Sequence, residues 1–448
     1  MQTFIMVAQL ITALSILVVI HELGHFLAAK LFKIRVDKFY LFFDFLFPMP
    51  NLLKFSLFKI KKGDTEYGLG WFPMGGYVQI AGMVDENMNT EQLSQPAEPW
   101  EFRSKPAWQR MIVMLGGIIF NVALGVFIFA MMSYYYGERF TKNESIKNGL
   151  VASALAKEVG FETGDKLVSV NGKPIIHFEK AFGSDELLGD KTVYTVDRNG
   201  ESKQIELPAT FLSKFSENSK AEFLTPRQTF FIGDLVPSAN AEKAGLKIND
   251  VIIAVDTNKF AFFDEFQQLL QNKKNTKSMF TILRNSDTLK LEVAIDESGK
   301  VGFRPDTKDF AYDTIQYGFF ASLPAGWDKA VETIRSQIKG WGKIFNGDIA
   351  VNKAVQGPIG IAKFYGGEWI WSRFWLFTAL ISLGLAFANV LPIPALDGGH
   401  VVMLIIEMVT GKPISIKIQE RVQTAGMIIL LSLMVLIFGN DIWQLIKK

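Results

Sequence analysis

Four stretches of the chain stay apolar for close to the roughly 20 residues that cross a bilayer, and no other feature restricts the fold as strongly. They run from about Phe4 to Phe32, Trp108 to Tyr135, Phe374 to Leu391, and Thr424 to Phe438 with its flanks. A hydrophobic content of 49% over 448 residues belongs to the same class. Hydrocarbon offers no partner to a backbone amide, so each stretch is expected as a helix. The N-terminus lacks the basic start and small-residue cleavage site of a signal peptide, and the first stretch reads as a retained helix. A net charge of +2 without a polybasic arm gives no sign of nucleic-acid binding. The partner implied is membrane lipid.

Two of these stretches carry polar groups. His21, Glu22 and His25 lie in the first, and Asn389 with Asp397 at the end of the third. An ionisable group at membrane depth costs about 2.5 kcal/mol or more on insertion scales, so it points to function. His21-Glu22-Leu23-Gly24-His25 matches H-E-x-x-H, which on a helix puts both imidazoles on one face with Glu22 beside them. The chain has no cysteine, so a metal here must be held by His, Asp or Glu. Two histidines leave a catalytic zinc one protein ligand short. Asn389-Val-Leu-Pro392-Ile-Pro394-Ala-Leu396-Asp397-Gly398-Gly399-His400 supplies two candidates, Asp397 and His400. Its prolines break the helix at a depth where free backbone is tolerated only inside protein or beside a water cavity.

Lys30, Lys33, Arg35, Lys38, Arg103, Lys105 and Arg110 flank the first loop, and Lys412, Lys417 and Arg421 the third, so both are expected in the cytoplasm. Lys447 and Lys448 run against the rule. The stretch from Gly137 to Arg373 then lies outside. It holds a repeat, Gly160-Phe-Glu-Thr-Gly164-Asp165-Lys-Leu-Val-Ser-Val170-Asn171-Gly172 against Ala244-Gly245-Leu-Lys-Ile-Asn249-Asp250-Val-Ile-Ile-Ala-Val255-Asp256. Each copy is a turn opening an alternating strand, and the pair resembles PDZ domains. Such domains bind peptides as an added strand; a steric spacer is the other use. Trp327, Val331, Ile334, Ile338, Trp341 and Phe345 recur at helical spacing and predict an amphipathic helix whose apolar face packs. Between the first two spans, Tyr67 to Gly82 alternates on each side of Pro73-Met74-Gly75-Gly76 and reads as a β-hairpin.

In this combination the chain resembles the site-two protease family of intramembrane zinc metalloproteases, in its bacterial regulator of sigma-E protease type with tandem PDZ domains. The resemblance rests on H-E-x-x-H, a Gly-x-x-x-Asn motif at Gly117 to Asn121, the repeats, and Asn-x-x-Pro-x-Pro-x-Leu-Asp-Gly from Asn389 to Gly398. Gly116-Gly117-Ile118 replaces the common Gly-Pro pair. The likeness implies that His21, His25 and Asp397 bind Zn2+, that Glu22 is the general base, and that Asn389, Pro392 and Pro394 line the substrate site. It makes the hairpin a membrane-reentrant loop, with Tyr77 and Val78 on a strand that receives an unwound substrate. The expected architecture is four transmembrane helices and a reentrant β-hairpin, plus two extramembrane β-rich domains. The parts are 1–136, PDZ-like domains at 137–225 and 226–307, a helical linker region at 308–372, and the last two spans at 373–448. The implied setting is a bacterial inner membrane, with the PDZ-like domains on the periplasmic or extracellular side and the active site towards the cytoplasm. The implied substrate is a single-pass transmembrane protein already cleaved on its outer side, an anti-sigma factor or a remnant signal peptide. A silent scaffold would have lost a ligand or the base, and the sequence keeps them all.

Overall fold

The computed structural model describes residues 2–46, 52–73, 75–83, 96–189, 191–208, 211–217, 223–349 and 356–446. It forms two compact units, one of Met1–Gly137, Gln316–Gly342 and Val351–Lys448, the other of Glu138–Ile315 and Lys343–Ala350. In the first, four helices are long and apolar enough to cross a membrane: α1 (Gln2–Leu31), α2 (Ala107–Tyr136), α5 (Trp371–Val390) and α7 (Ile416–Ile446). Between them lie α3 (Phe319–Phe345), α4 (Pro358–Tyr365) and α6 (Asp397–Thr410).

Small residues let the helices approach closely. At the α1–α2 crossing a Cβ on Gly116 would stand 2.5 Å from the Gly24 carbonyl oxygen, the close approach that membrane helices use in place of a hydrophobic driving force. The Ser382 hydroxyl of α5 donates to the Asn121 carbonyl of α2 at 2.7 Å. Helix α6 is tied to α2 by the ion pair of Glu407 with Arg110.

The segment between α1 and α2 departs from the hairpin expected there. It forms a four-stranded sheet of β1 (Val36–Leu41), β2 (Ser56–Lys62), β3 (Thr65–Gly70) and β4 (Tyr77–Ile80), in the order β2-β3-β1-β4. The strands on either side of Pro73 to Gly76 are β3 and β4, and β1 lies between them, parallel to β3 and antiparallel to β4. The hairpin that does form is β2-β3. Gly68 lets this happen, because the Tyr40 ring of β1 lies where a Cβ would stand.

Helix α3 forms as expected but buries another face. Its buried positions are Ser322, Gly326 and Ala330, while Trp327 and Ile338 are exposed. A Cβ on Gly326 would meet the α2 backbone at Ala130 N, 2.5 Å away, so the small side packs and large apolar side chains stay outside. Helix α6 occupies a stretch read from the sequence as loop.

The second unit shows the repeat as structure. Its strands are β5 (Glu138–Thr141), β6 (Leu150–Ala152), β7 (Lys166–Val170), β8 (Lys173–Pro174), β9 (Val193–Arg198), β10 (Glu201–Glu206), β11 (Leu224–Pro226), β12 (Phe231–Leu235), β13 (Val251–Val255), β14 (Asn258–Lys259), β15 (Lys277–Arg284), β16 (Asp287–Ala294), β17 (Phe303–Asp306) and β18 (Tyr312–Ile315). One copy has the sheet β10-β9-β7-β8 with the pair β11-β6, the other β14-β13-β15-β16 with β12-β17. Separate cores fill them, Ile146 to Leu224 and Phe230 to Val301. The same clamp recurs in both. Arg198 takes both carboxylate oxygens of Asp165 and the Gly160 carbonyl, and Arg284 takes those of Asp250 and Gly245, all at 2.7–2.8 Å. Strand β18 pairs with β5, so the residues up to Ile315, expected in the helical linker region, belong to this unit.

Candidate metal and catalytic site

His21 and His25 leave α1 one turn apart, their rings edge to face at 4.8 Å between centroids. Helix α2 fixes both. His25 Nδ1 lies 2.8 Å from the Val113 carbonyl oxygen; a carbonyl only accepts, so Nδ1 carries the proton and Nε2 presents a lone pair. The side-chain amide of Asn121 lies 3.1 Å from His21 Nδ1. Gly117 leaves room for the rings, since a Cβ there would come within 2.5 Å of His21 Cε1 and His25 Nε2.

The third group arrives from α5 and α6. Helix α5 ends at Val390, ahead of Pro392, and Ala395 takes a positive φ of 74° before α6 opens at Asp397. A Cβ on Gly398 would stand 2.7 Å from the Asn389 carbonyl oxygen, so only glycine lets α6 start this close to the end of α5. Asp397 Oδ2 thereby lies 3.3 Å from His21 Nε2 and 3.4 Å from His25 Nε2, with 3.2 Å between the two nitrogens.

This triangle fits a metal. Zinc takes its ligands at about 2.0–2.1 Å in tetrahedral geometry, which sets neighbouring ligand atoms roughly 3.3 Å apart. Asp397 Oδ2 is buried and makes no hydrogen bond. With the His25 proton on Nδ1, its Nε2 and the carboxylate oxygen face each other as lone pairs, and a cation resolves that conflict.

A cavity of about 120 Å³ opens on this cluster, lined by His21, Glu22, His25, Tyr77, Val78 and Asp397. Strand β4 forms one wall, with Val78 beside Glu22 in the lining. Tyr77 is held by its hydroxyl, which donates to Asp44 Oδ1 at 3.1 Å, and by stacking on Tyr40. His400 reaches the same cavity but stands outside the converging trio. Asn389 is buried with its amide 3.5 Å from His21 Nε2. Pro392 is exposed and Pro394 lies against Gly426 of α7, and neither lines the cavity. Reasoning from sequence missed the Val113 carbonyl, which has no sequence signal, and Asp44, a lone acid among Leu41-Phe-Phe and Phe45-Leu-Phe that could have been noticed as a buried partner.

Comparison with known proteins gives the family. The model of peptidase family M50 matches residues 9–433. The chain is 29% identical to the regulator of sigma E protease of Haemophilus influenzae, with 97% of this chain and 98% of the relative covered. It is 28% identical to the regulator of sigma-E protease of Escherichia coli K12, with 98% of each covered. It is also 29% identical to a Neisseria meningitidis protein provisionally named a zinc metalloprotease, with 97% and 98% covered. Four bilayer-length helices, a His-His-Asp cluster that fits zinc and a family match over nearly the whole chain lead to one assignment: the chain belongs to peptidase family M50 and is a zinc-dependent protease.

Proposed function

We propose that this chain is an intramembrane protease that hydrolyses peptide bonds within transmembrane segments of single-pass membrane proteins. His21, His25 and Asp397 hold Zn2+, and Glu22 is the general base. The observation that carries this reading is the 3.2–3.4 Å triangle of Nε2, Nε2 and Oδ2, built on a bilayer-length helix with Glu22 one residue away. Zinc at these ligands supplies Lewis acidity, polarising a carbonyl and lowering the pKa of a water. Glu22 accepts the proton of the attacking water and returns it to the leaving amine nitrogen. A helical substrate hides its carbonyls in its own hydrogen bonds; the edge strand β4, with Tyr77 and Val78, offers an unwound segment new partners as an added strand. Asn389 steadies the substrate beside His21, and Pro392 and Pro394 act by ending α5 ahead of the turn that carries Asp397.

Strand β4 sits at membrane depth, and the loops rich in Lys and Arg favour a site towards the cytoplasm of a bacterial inner membrane. The two repeated outer domains are PDZ-like and stand on the periplasmic or extracellular side, where they admit substrates already trimmed. Two relatives are named for regulating sigma E, so an anti-sigma factor is the first substrate class to test, with remnant signal peptides the second. The test is cleavage of a single-pass substrate in proteoliposomes, mapped by mass spectrometry. A cut within the membrane segment, abolished by a zinc chelator and restored by zinc, supports the reading. Cuts only in water-exposed flanks would refute it.

A further inference from the structure

The sheet β2-β3-β1-β4 has two unlike edges. Strand β4 borders the cavity, whereas β2, at the far edge, buries almost nothing: Leu57, Phe58 and Ile60 are 62%, 61% and 56% exposed. Lys59, Lys61 and Lys62 of the same strand and Lys54 just before it are also exposed.

Register sorts these side chains by face. Ile60 stands opposite Tyr67, which stands opposite Phe39, and the Phe39 and Tyr67 rings pack on Phe26 of α1 at 5.5 and 6.0 Å. Phe58, two residues from Ile60, shares that side. Lys59 and Lys61 stand opposite Gly68 and Glu66, on the side of Tyr40. The apolar side of β2 therefore continues the surface that covers the C-terminal end of α1, where Leu27 and Leu31 are themselves exposed. Lys59 and Lys61 take the other side, Lys62 at the end of the strand falls in phase with Ile60, and none of Lys54, Lys59, Lys61 and Lys62 forms an ion pair among the described residues.

Lysines alone are explained as protection of an edge strand against pairing. They do not explain three large apolar side chains left open beside them. Hydrocarbon would penalise the lysines, and water the phenylalanine and isoleucine. The headgroup layer takes both, apolar side chains entering the acyl boundary while Lys meets phosphate. We propose that β2 is an interfacial strand that docks on anionic lipid headgroups, in the leaflet at the C-terminal end of α1. Because β2 and β4 belong to one sheet, this contact fixes the height of Val78 beside Glu22.

The chain has no cysteine, so single cysteines report without background. Spin labels on full-length Phe58→Cys, Lys59→Cys, Ile60→Cys and Lys61→Cys are read for collision with oxygen and with a water-soluble nickel chelate. The vesicles are phosphatidylcholine with phosphatidylglycerol, or phosphatidylcholine alone. In the mixed vesicles, positions 58 and 60 should favour oxygen and 59 and 61 nickel. Replacing Lys54, Lys59, Lys61 and Lys62 with Glu should move the label at 60 several-fold towards nickel, as should omitting the anionic lipid, with zinc content unchanged. Equal water access at all four positions, equal burial of all four, or a profile indifferent to charge and lipid would overturn the proposal. These readouts need no proteolysis, so they stand apart from the assigned activity.

Discussion

Asn121 of α2 stands 3.1 Å from His21 Nδ1 of α1, and its own amide oxygen is buried without a partner. A histidine that gives Nε2 to a metal carries its proton on Nδ1 and needs an acceptor there. Half a turn of the Asn121 amide brings its oxygen to that proton. Asn121→Leu should therefore weaken zinc affinity by about 10–100-fold, measured by competition with a chelator, while Asn121→Asp keeps it. Equal affinity in Asn121→Leu would remove Asn121 from the site.

Gly24 and Gly117 test the helix crossing in two ways. Gly24→Ala pushes α1 from the α2 backbone at Gly116 and should cost about 1–3 kcal/mol, the usual range for overpacking, seen in thermal unfolding in detergent. Gly117→Ala meets the imidazoles themselves, so its expected loss is in bound zinc more than in unfolding temperature. If both variants lost only stability, the crossing would not be what shapes the ligand pair.

Val78→Pro removes a backbone N–H from β4, the edge strand beside Glu22. Cleavage of a stably helical segment should fall further than cleavage of one already loosened by Gly or Pro, with zinc retained. Equal losses on the two substrates would mean that the strand serves the enzyme's own structure alone.

The repeated clamps predict matched effects in the outer unit. The Asp165 and Asp250 carboxylates are almost fully buried, while Arg198 and Arg284 keep about a fifth of their side chains exposed. Arg198→Ala or Arg284→Ala strands its carboxylate and should cost about 2 kcal/mol, below the full penalty for breaking a buried pair because water still reaches the arginine. Native-state hydrogen exchange should show faster opening of the affected copy only. Opening of both copies together would show that they unfold as one.

The parts legible in the sequence were those written locally. H-E-x-x-H declares itself because helical spacing puts His21 and His25 on one face and charge is costly in an apolar span. The repeat shows in its turn residues, and the structure returns them: Asn171 and Asp256 both adopt positive φ, at 49° and 52°. The insertion of β1 between β3 and β4 left no local trace, since alternation gives a strand's faces and not its neighbours. Helix α6 was hidden because the apolar run from Val401 to Ile406, closed by Glu407, is too short to announce a span. The packing face of α3 was misread because Ser322, Gly326 and Ala330 look like gaps in an apolar pattern, although close helix contacts favour such residues.

The most direct measurement is zinc content and peptide hydrolysis in the same purified samples of wild type, Glu22→Gln, Asp397→Asn and His400→Ala. One zinc per chain is expected in wild type, Glu22→Gln and His400→Ala, with much less in Asp397→Asn, whose amide is a poor ligand of nearly unchanged volume. Hydrolysis by Glu22→Gln should fall at least about a hundredfold, the scale of general-base loss. Substantial proteolysis by Glu22→Gln, or full zinc in Asp397→Asn with zinc lost from His400→Ala, would contradict the roles assigned to these residues.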